Sequence, residues 1–119
     1  MVEETAISIE YFQQLRNRQN VLYRVNTAEI RATAKKKDMA TLNALRADRA
    51  KMAQNDQLIF KAELAFQATQ LGQSEAEKRL RQHVREINKF VKTVKTVAKV
   101  LESTAKVASI LARLIKVLT

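Results

Sequence analysis

An all-α fold is predicted: an elongated antiparallel helical hairpin or three-helix bundle that ends in a long heptad-repeat helix and is expected to be oligomeric. Three observations carry that prediction. The 119 residues contain no Pro and a single Gly, Gly72, whereas sandwiches and barrels need turn residues about every eight to twelve positions. Seventeen alanines, with abundant Leu, Lys, Arg, Glu and Gln, favour helix almost everywhere. Toward the C-terminus, Leu80, Ile87, Val94, Leu101, Ala108 and Ile115 form an apolar register of period seven, while Lys78, Arg85, Lys92, Lys99, Lys106 and Arg113 form a cationic one. One register always apolar and another always charged describes a helix with a buried seam and a wet back.

The elements follow in chain order. Apolar residues recur at Ile9, Phe12, Leu15, Leu22 and Val25, which predicts a first helix over about residues 5–25. The pattern fades from Arg31 to Lys37, so a polar joint is expected within 26–38, where Asn26 and Glu29 resemble a weak capping box. It resumes at Met39, Leu42, Leu45, Met52, Ile59, Phe60, Leu64 and Phe66, and Asp38 stands where it can cap a second helix over about 39–71. One kinked helix across both stretches is the alternative. Gly72 suits the left-handed residue that ends a helix, and Ser74 with Glu77 matches the Ser-x-x-Glu capping box. A tight turn at 72–74 between antiparallel neighbours is therefore predicted. From 75 to 118 no breaker intervenes, Ser103-Thr104 being the one weak point, and an uninterrupted helix of that length would span about 66 Å. All of it reads as a single helical domain, 1–119.

With the Leu80 register taken as position a, His83, Phe90, Val97, Thr104, Leu111 and Leu118 fall at d, and Val84, Val91, Ala98, Ala105 and Ala112 at e. From Val97 onward position g turns apolar as well (Val100, Val107, Leu114), and Ile110 and Val117 add a further edge. The predicted interaction seam is Leu80, Ile87, Phe90, Val94, Val97, Leu101, Ala105, Val107, Ala108, Leu111, Leu114, Ile115 and Leu118. An arc this wide needs neighbours on two sides. Burying Val100, Val107, Ile110, Leu114 and Val117 is worth about 1.5–3 kcal/mol each. The flank left over by the hairpin is thus expected to meet a second copy of the chain, a helical protein partner, the N-terminal helix or lipid.

Charge is unevenly spread. The chain carries a net +10, of which residues 1–72 supply +3 (eleven Lys/Arg against eight Asp/Glu) and 73–119 supply +7 (eleven against four). The cationic register, Lys78, Arg85, Lys92, Lys99, Lys106 and Arg113, is a candidate anion-facing stripe. Lys35-Lys36-Lys37 reads as a solvated charge run, with an anion-binding loop as the sharper alternative.

Catalytic chemistry finds little to work with. There is no Cys, one His, four Ser, no glycine-rich loop and no Glu-x-x-His, so no enzyme, cofactor, metal or small-molecule substrate is expected. His83 reads as a seam residue, Tyr11, Phe12 and Tyr23 as packing residues, and Asp56, Glu63 and Thr104 as polar breaks that set register. The acidic Met1-Val2-Glu3-Glu4-Thr5 start lacks the order of a signal peptide, and the longest uncharged run, Leu64 to Ser74, is about half a bilayer span. Neither a signal peptide nor a transmembrane span is expected, and a cytoplasmic location is the default.

Three functions fit. A structural or interaction protein that self-assembles, or binds a partner, explains the seam and the missing chemistry together. A membrane-active protein would use Thr104 to Leu118, with cations at 106, 113 and 116, as an interfacial helix on anionic bilayers or as a pore-former. Non-specific nucleic-acid binding would use the stripe, whose charges recur about every 10 Å.

Overall fold

The computed structural model describes residues 6–91, 94 and 96–119. Four helices, α1 (Ala6–Lys35), α2 (Met39–Ala68), α3 (Gln73–Val91) and α4 (Val97–Leu118), form a bundle of 53 × 20 × 17 Å. Contacts between Arg16 and Glu63 and between Asn26 and Leu45 make α1 and α2 an antiparallel hairpin. Arg113 against Glu86, and Lys106 over Phe90, do the same for α3 and α4. The two hairpins lie side by side, α1 against α3 and α2 against α4, with α4 reaching α1 across the core. Helices of 30 residues span about 45 Å, more than α3 and α4 at 19 and 22 residues can cover. The tip of the long hairpin therefore projects, and over residues 28–47 only Thr33, Leu42 and Leu45 are buried.

The long C-terminal helix expected over 75–118 is two helices folded back on each other, so the molecule is neither a simple hairpin nor a three-helix bundle. From Val91 to Val97 the chain reads Val-Lys-Thr-Val-Lys-Thr-Val, and β-branched residues lose side-chain freedom in a helix. Thr96 then adopts extended backbone, and its side chain accepts a hydrogen bond from the Lys99 N–H at 3.2 Å, starting α4 afresh. Ser103-Thr104, the expected weak point, stays helical, with the Thr104 hydroxyl bonded back to the Val100 carbonyl.

In the first half the opposite correction applies. α1 does not stop near residue 25; it runs to Lys35, and the joint shrinks to 36–38. Its inward places include Phe12, Gln19, Asn26 and Thr33, all buried, so Asn26 is a core residue and not part of a capping box. The helix ends with Lys37 at φ 56°, the Lys37 N–H bonded to Ala34 O and the Asp38 N–H to Thr33 O. That is a Schellman ending with Lys in the place glycine usually takes. Asp38 caps α2 as expected, accepting from the Thr41 N–H at 3.1 Å.

Gly72 is not the left-handed terminator; no glycine has positive φ. α2 closes earlier, at Ala68 with Thr69 extended, and the Gly72 carbonyl accepts from the Ala76 N–H, which starts α3 ahead of Ser74.

The core is apolar where the hairpins meet near the α1 N-terminal half, with Phe12 edge-on to Phe66 at 5.8 Å among residues such as Leu80, Ile87 and Leu114. Farther along α1 and α2 it turns polar. Gln19 donates to the Met52 carbonyl at 2.9 Å, Asn26 to the Leu45 carbonyl and to Asp48 at 3.1 Å, and Asn55 to the Thr104 carbonyl at 3.1 Å.

Candidate functional site

The residues proposed as an interaction seam are used inside the chain. Leu80, Ile87, Val94, Val107, Leu111, Leu114 and Leu118 are buried, Phe90, Val97, Leu101, Ala108 and Ile115 are half-buried, and Ala105 is exposed. The seam also turns. In α3 it runs through a and e (Leu80, Val84, Ile87, Val91), whereas in α4 it runs through g, c and d, burying Val100, Ser103, Thr104, Val107, Ile110, Leu111, Leu114 and Leu118. Between the two helices the buried face rotates by about a third of a turn, because the linker conserves the count of seven but not the helical phase. The widening arc has the same origin: α4 packs against α1, α2 and α3, and three neighbours need a broad apolar surface. Of the five residues for which an outside partner was argued, only Val117 remains exposed, at 38%.

The cationic stripe is split by the same break. Lys78 and Arg85 lie on α3, Lys99, Lys106 and Arg113 on α4, and Lys92 falls outside the described residues. The two parts differ in their electrostatics. On α4, Glu102 takes Lys99 at 3.6 Å and Lys106 at 2.8 Å, while Glu86 takes Arg113 at 2.7 Å. Lys106 also sits over the Phe90 ring, 5.5 Å from its centre. The pull of both lysines holds the Glu102 carboxyl below its usual pKa, the Lys106 hydrogen bond being the main cause. On α3, by contrast, Lys78, Arg81, Arg85 and Lys89 are exposed and carry no ion pair among the described residues.

Helical spacing places those four cations in order along α3. Arg81 and Arg85 share a flank with Asn88, seven and three residues away. Asn88 touches α1, accepting from Arg18 Nε at 2.7 Å and donating to Gln14. The α3 cations therefore adjoin α1 at Gln14 and Arg18, while Asn17, Arg24 and Arg31 recur at seven-residue intervals on the exposed back of α1, away from α3. A shallow groove over α1 is lined by Asn17, Arg18, Asn20, Tyr23, Arg24 and Arg49. Its one aromatic ring is already engaged, since the Tyr23 hydroxyl donates to Asp56 at 3.2 Å and the Arg49 guanidinium lies 5.9 Å from the ring centre. The Lys35-Lys36-Lys37 run sits exposed at the far tip of the same helix. Lys78, Arg81, Arg85 and Lys89, with Arg18 at their edge, make a cationic face on α3 and the adjoining flank of α1.

Sequence reasoning found Lys78 and Arg85 but missed Arg18, Arg81 and Lys89. A strict period of seven kept Arg85 and passed over Arg81 and Lys89, although spacings of three and four mark one face of a single helix.

Of the residues weighed for other roles, Phe12 is buried, Tyr11, Tyr23 and Glu63 are half-buried, Thr104 is buried and Asp56 is exposed. His83 is half-buried, its Nδ1 2.7 Å from the Arg79 carbonyl. Among the described residues Asp48 is the one buried carboxyl: burial pushes its pKa up, opposed by hydrogen bonds with Thr104 and Asn26 and by the Lys51 charge. Among the described residues no cluster of three or more His, Asp or Glu could hold a metal ion, and no helix is long and apolar enough to cross a membrane. No protein-family model, curated protein or solved structure matches the chain.

Proposed function

We propose that this chain is a non-enzymatic helical interaction protein whose working surface is the cationic face of α1 and α3, and whose partner is a polyanion. One observation carries the reading: Glu86 and Glu102 pair three of the four α4 cations, Lys99, Lys106 and Arg113 but not Lys116, while Lys78, Arg81, Arg85 and Lys89 on α3 have no ion pair among the described residues. A solvated back needs charge but not charge of one sign, and self-repulsion of an unmatched cluster is offset once an anion docks. Self-association through the C-terminal apolar face has less to offer, since Val100, Val107, Ile110 and Leu114 are already covered by the chain's own helices.

Retention on immobilised heparin, a generic polyanion, tests this. Arg81→Gln/Arg85→Gln should elute at clearly lower salt than Lys99→Gln/Lys106→Gln, which removes the same charge from α4. Equal elution of the two variants, or no retention of the unmodified protein, would sink the reading.

Binding of anionic bilayers by a released α4 is a second reading, favoured by the polar seat of that helix, where Thr104 rests on Asn55 and Asp48. It requires the bundle to open. Vesicle binding with loss of amide protection in α4 supports it; binding with protection retained speaks against it.

A further inference from the structure

Helices α1 and α2 turn a common outer side to solvent that takes no part in packing the two hairpins together. Arg16 paired with Glu63, Tyr23 bonded to Asp56, and the Arg49 guanidinium by the Tyr23 ring mark the seam along it. On α2, Met39, Arg46, Ala53 and Phe60 follow at seven-residue intervals, and Leu64 stands one turn beyond Phe60, all of them exposed. Phe60 lies four residues from Asp56 and three from Glu63, so it flanks the seam. On α1, Ile9 precedes Arg16 by one heptad and shares its flank. Five large hydrophobics are exposed among the described residues, and four of them, Ile9, Met39, Phe60 and Leu64, are on this side. Apolar side chains scattered singly need no explanation; four of five on one side do.

The free charge on the same side has one sign. Arg24 and Arg31 on α1 and Arg46 on α2 are exposed and carry no ion pair among the described residues, and the Lys35-Lys36-Lys37 run continues them at the tip. Arg24 and Arg49 line one shallow groove. The carboxylates along the seam are already engaged, Glu63 by Arg16 and Asp56 by the Tyr23 hydroxyl. A nucleic acid would use these arginines but leave Phe60, Leu64 and Met39 in water. A soluble protein or a second copy needs a continuous apolar centre within a polar rim. Here Met39 and Phe60 stand about 32 Å apart along α2, with Arg46 and Ala53 between them. A bilayer surface needs no such continuity. Its interface takes apolar side chains one at a time, and anionic headgroups take the cations between them.

We infer that the outer side of α1 and α2 docks the closed bundle flat on an anionic bilayer. Ile9, Met39, Phe60 and Leu64 enter the headgroup boundary, while Arg24, Arg31, Arg46 and the tip lysines meet the lipid anions. Among the described residues no helix is long and apolar enough to cross a membrane, so the attachment is peripheral. This side is separate from the α3 cations, and unlike release of α4 the docking leaves every helix in place.

Co-sedimentation tests the inference, with vesicles of phosphatidylcholine and phosphatidylserine set against phosphatidylcholine alone. At about 100 mM salt, where the Debye length is about 10 Å, the protein should pellet only with the anionic vesicles and keep amide protection in α4. Phe60→Ser/Leu64→Ser should weaken binding at least about tenfold, the burial of two large side chains being lost. Arg24→Gln/Arg46→Gln should weaken it about thirtyfold. Arg81→Gln/Arg85→Gln removes equal charge from α3 and should cost under about threefold, because charges held off the surface are screened. Helical circular dichroism should be the same in all three variants. Equal losses from the two arginine pairs, or binding indifferent to Phe60→Ser/Leu64→Ser, would overturn the inference. So would an oligomer in light scattering that Phe60→Ser/Leu64→Ser dissolves while the unmodified protein ignores vesicles, which gives this side to a second copy. Pelleting with loss of α4 protection would give the membrane to α4 instead. Heparin retention through Arg81 and Arg85 is decided apart from all of these results.

Discussion

The long hairpin and the short one share a core but furnish it differently. α1 and α2 bury Ser8, Gln19, Asn26, Thr33, Asp48 and Asn55 alongside Phe12, Leu15, Leu22, Leu42, Leu45, Met52, Ile59, Ala62 and Phe66, whereas α3 buries Ala76, Leu80, Val84, Ile87 and Val91, and α4 adds mostly Val, Ile and Leu to Ser103 and Thr104. Apolar burial is non-directional and proportional to area; buried amides and a carboxyl are favourable only when paired in a definite geometry. Apolar residues of both hairpins thus supply cohesion, and the polar ones of the long hairpin add register. Gln19, Asn26, Asn55 and Asp48 each find partners at one alignment of α1, α2 and α4, at the cost of two buried acceptors, Gln19 Oε1 and Asn26 Oδ1, that have none.

If that contrast is right, the largest losses come from apolar positions such as those that line the short hairpin. Leu111 is fully buried, and Leu111→Ala should destabilise by about 2–5 kcal/mol in urea unfolding. Gln19→Met, a change of similar volume on α1, should fall within about 1.5 kcal/mol of the unmodified protein or above it, since it deletes an unpartnered acceptor along with the bond to Met52. Comparable losses at the two positions would erase the distinction.

Asp48 sharpens the comparison by pH. Its folded pKa is raised above the ordinary 3.8 by burial, so the fold prefers the neutral carboxyl. The stability it contributes is fully present below the ordinary value and lost as pH rises through the folded one. Asp48→Asn should therefore raise the melting temperature at pH 7, with an advantage that shrinks toward pH 3. A variant that melts lower at pH 7 would show the carboxylate to be a net asset.

The same contrast explains what could be read from the residues alone. All-helical architecture followed from composition, and the Asp38 cap from its place before Met39. Beyond that, periodicity misled in both directions. In α1 the inward register passes from Phe12 to Gln19, Asn26 and Thr33, so an unbroken helix looked like one that fades. In α3 and α4 the apolar and cationic registers continue through 92–96, so two helices looked like one. Hydrophobic patterning reports burial, not continuity, and a heptad kept across a turn carries no information on phase. The cationic face was half legible for that reason: its α3 members are on one helix, but Arg18 joins them only through its contact with Asn88.

The turn between the short helices is where this understanding is most economically challenged. Thr96 offers its side chain to the Lys99 N–H from an extended backbone, and loss of such a cap costs about 1 kcal/mol. Thr96→Ala removes the acceptor and at the same time favours helix at the break. If the turn is held by the apolar cohesion of the hairpin, stability should drop by about that 1 kcal/mol while the Lys106–Phe90 and Arg113–Glu86 contacts persist, as cross-peaks between Phe90 ring and Lys106 methylene protons would report. Loss of those cross-peaks with a gain in helical ellipticity would mean that α3 and α4 had fused into the long helix the heptad describes. That outcome would expose Val107, Leu111 and Leu114, and the partner those residues lack in this fold would have to come from a second chain.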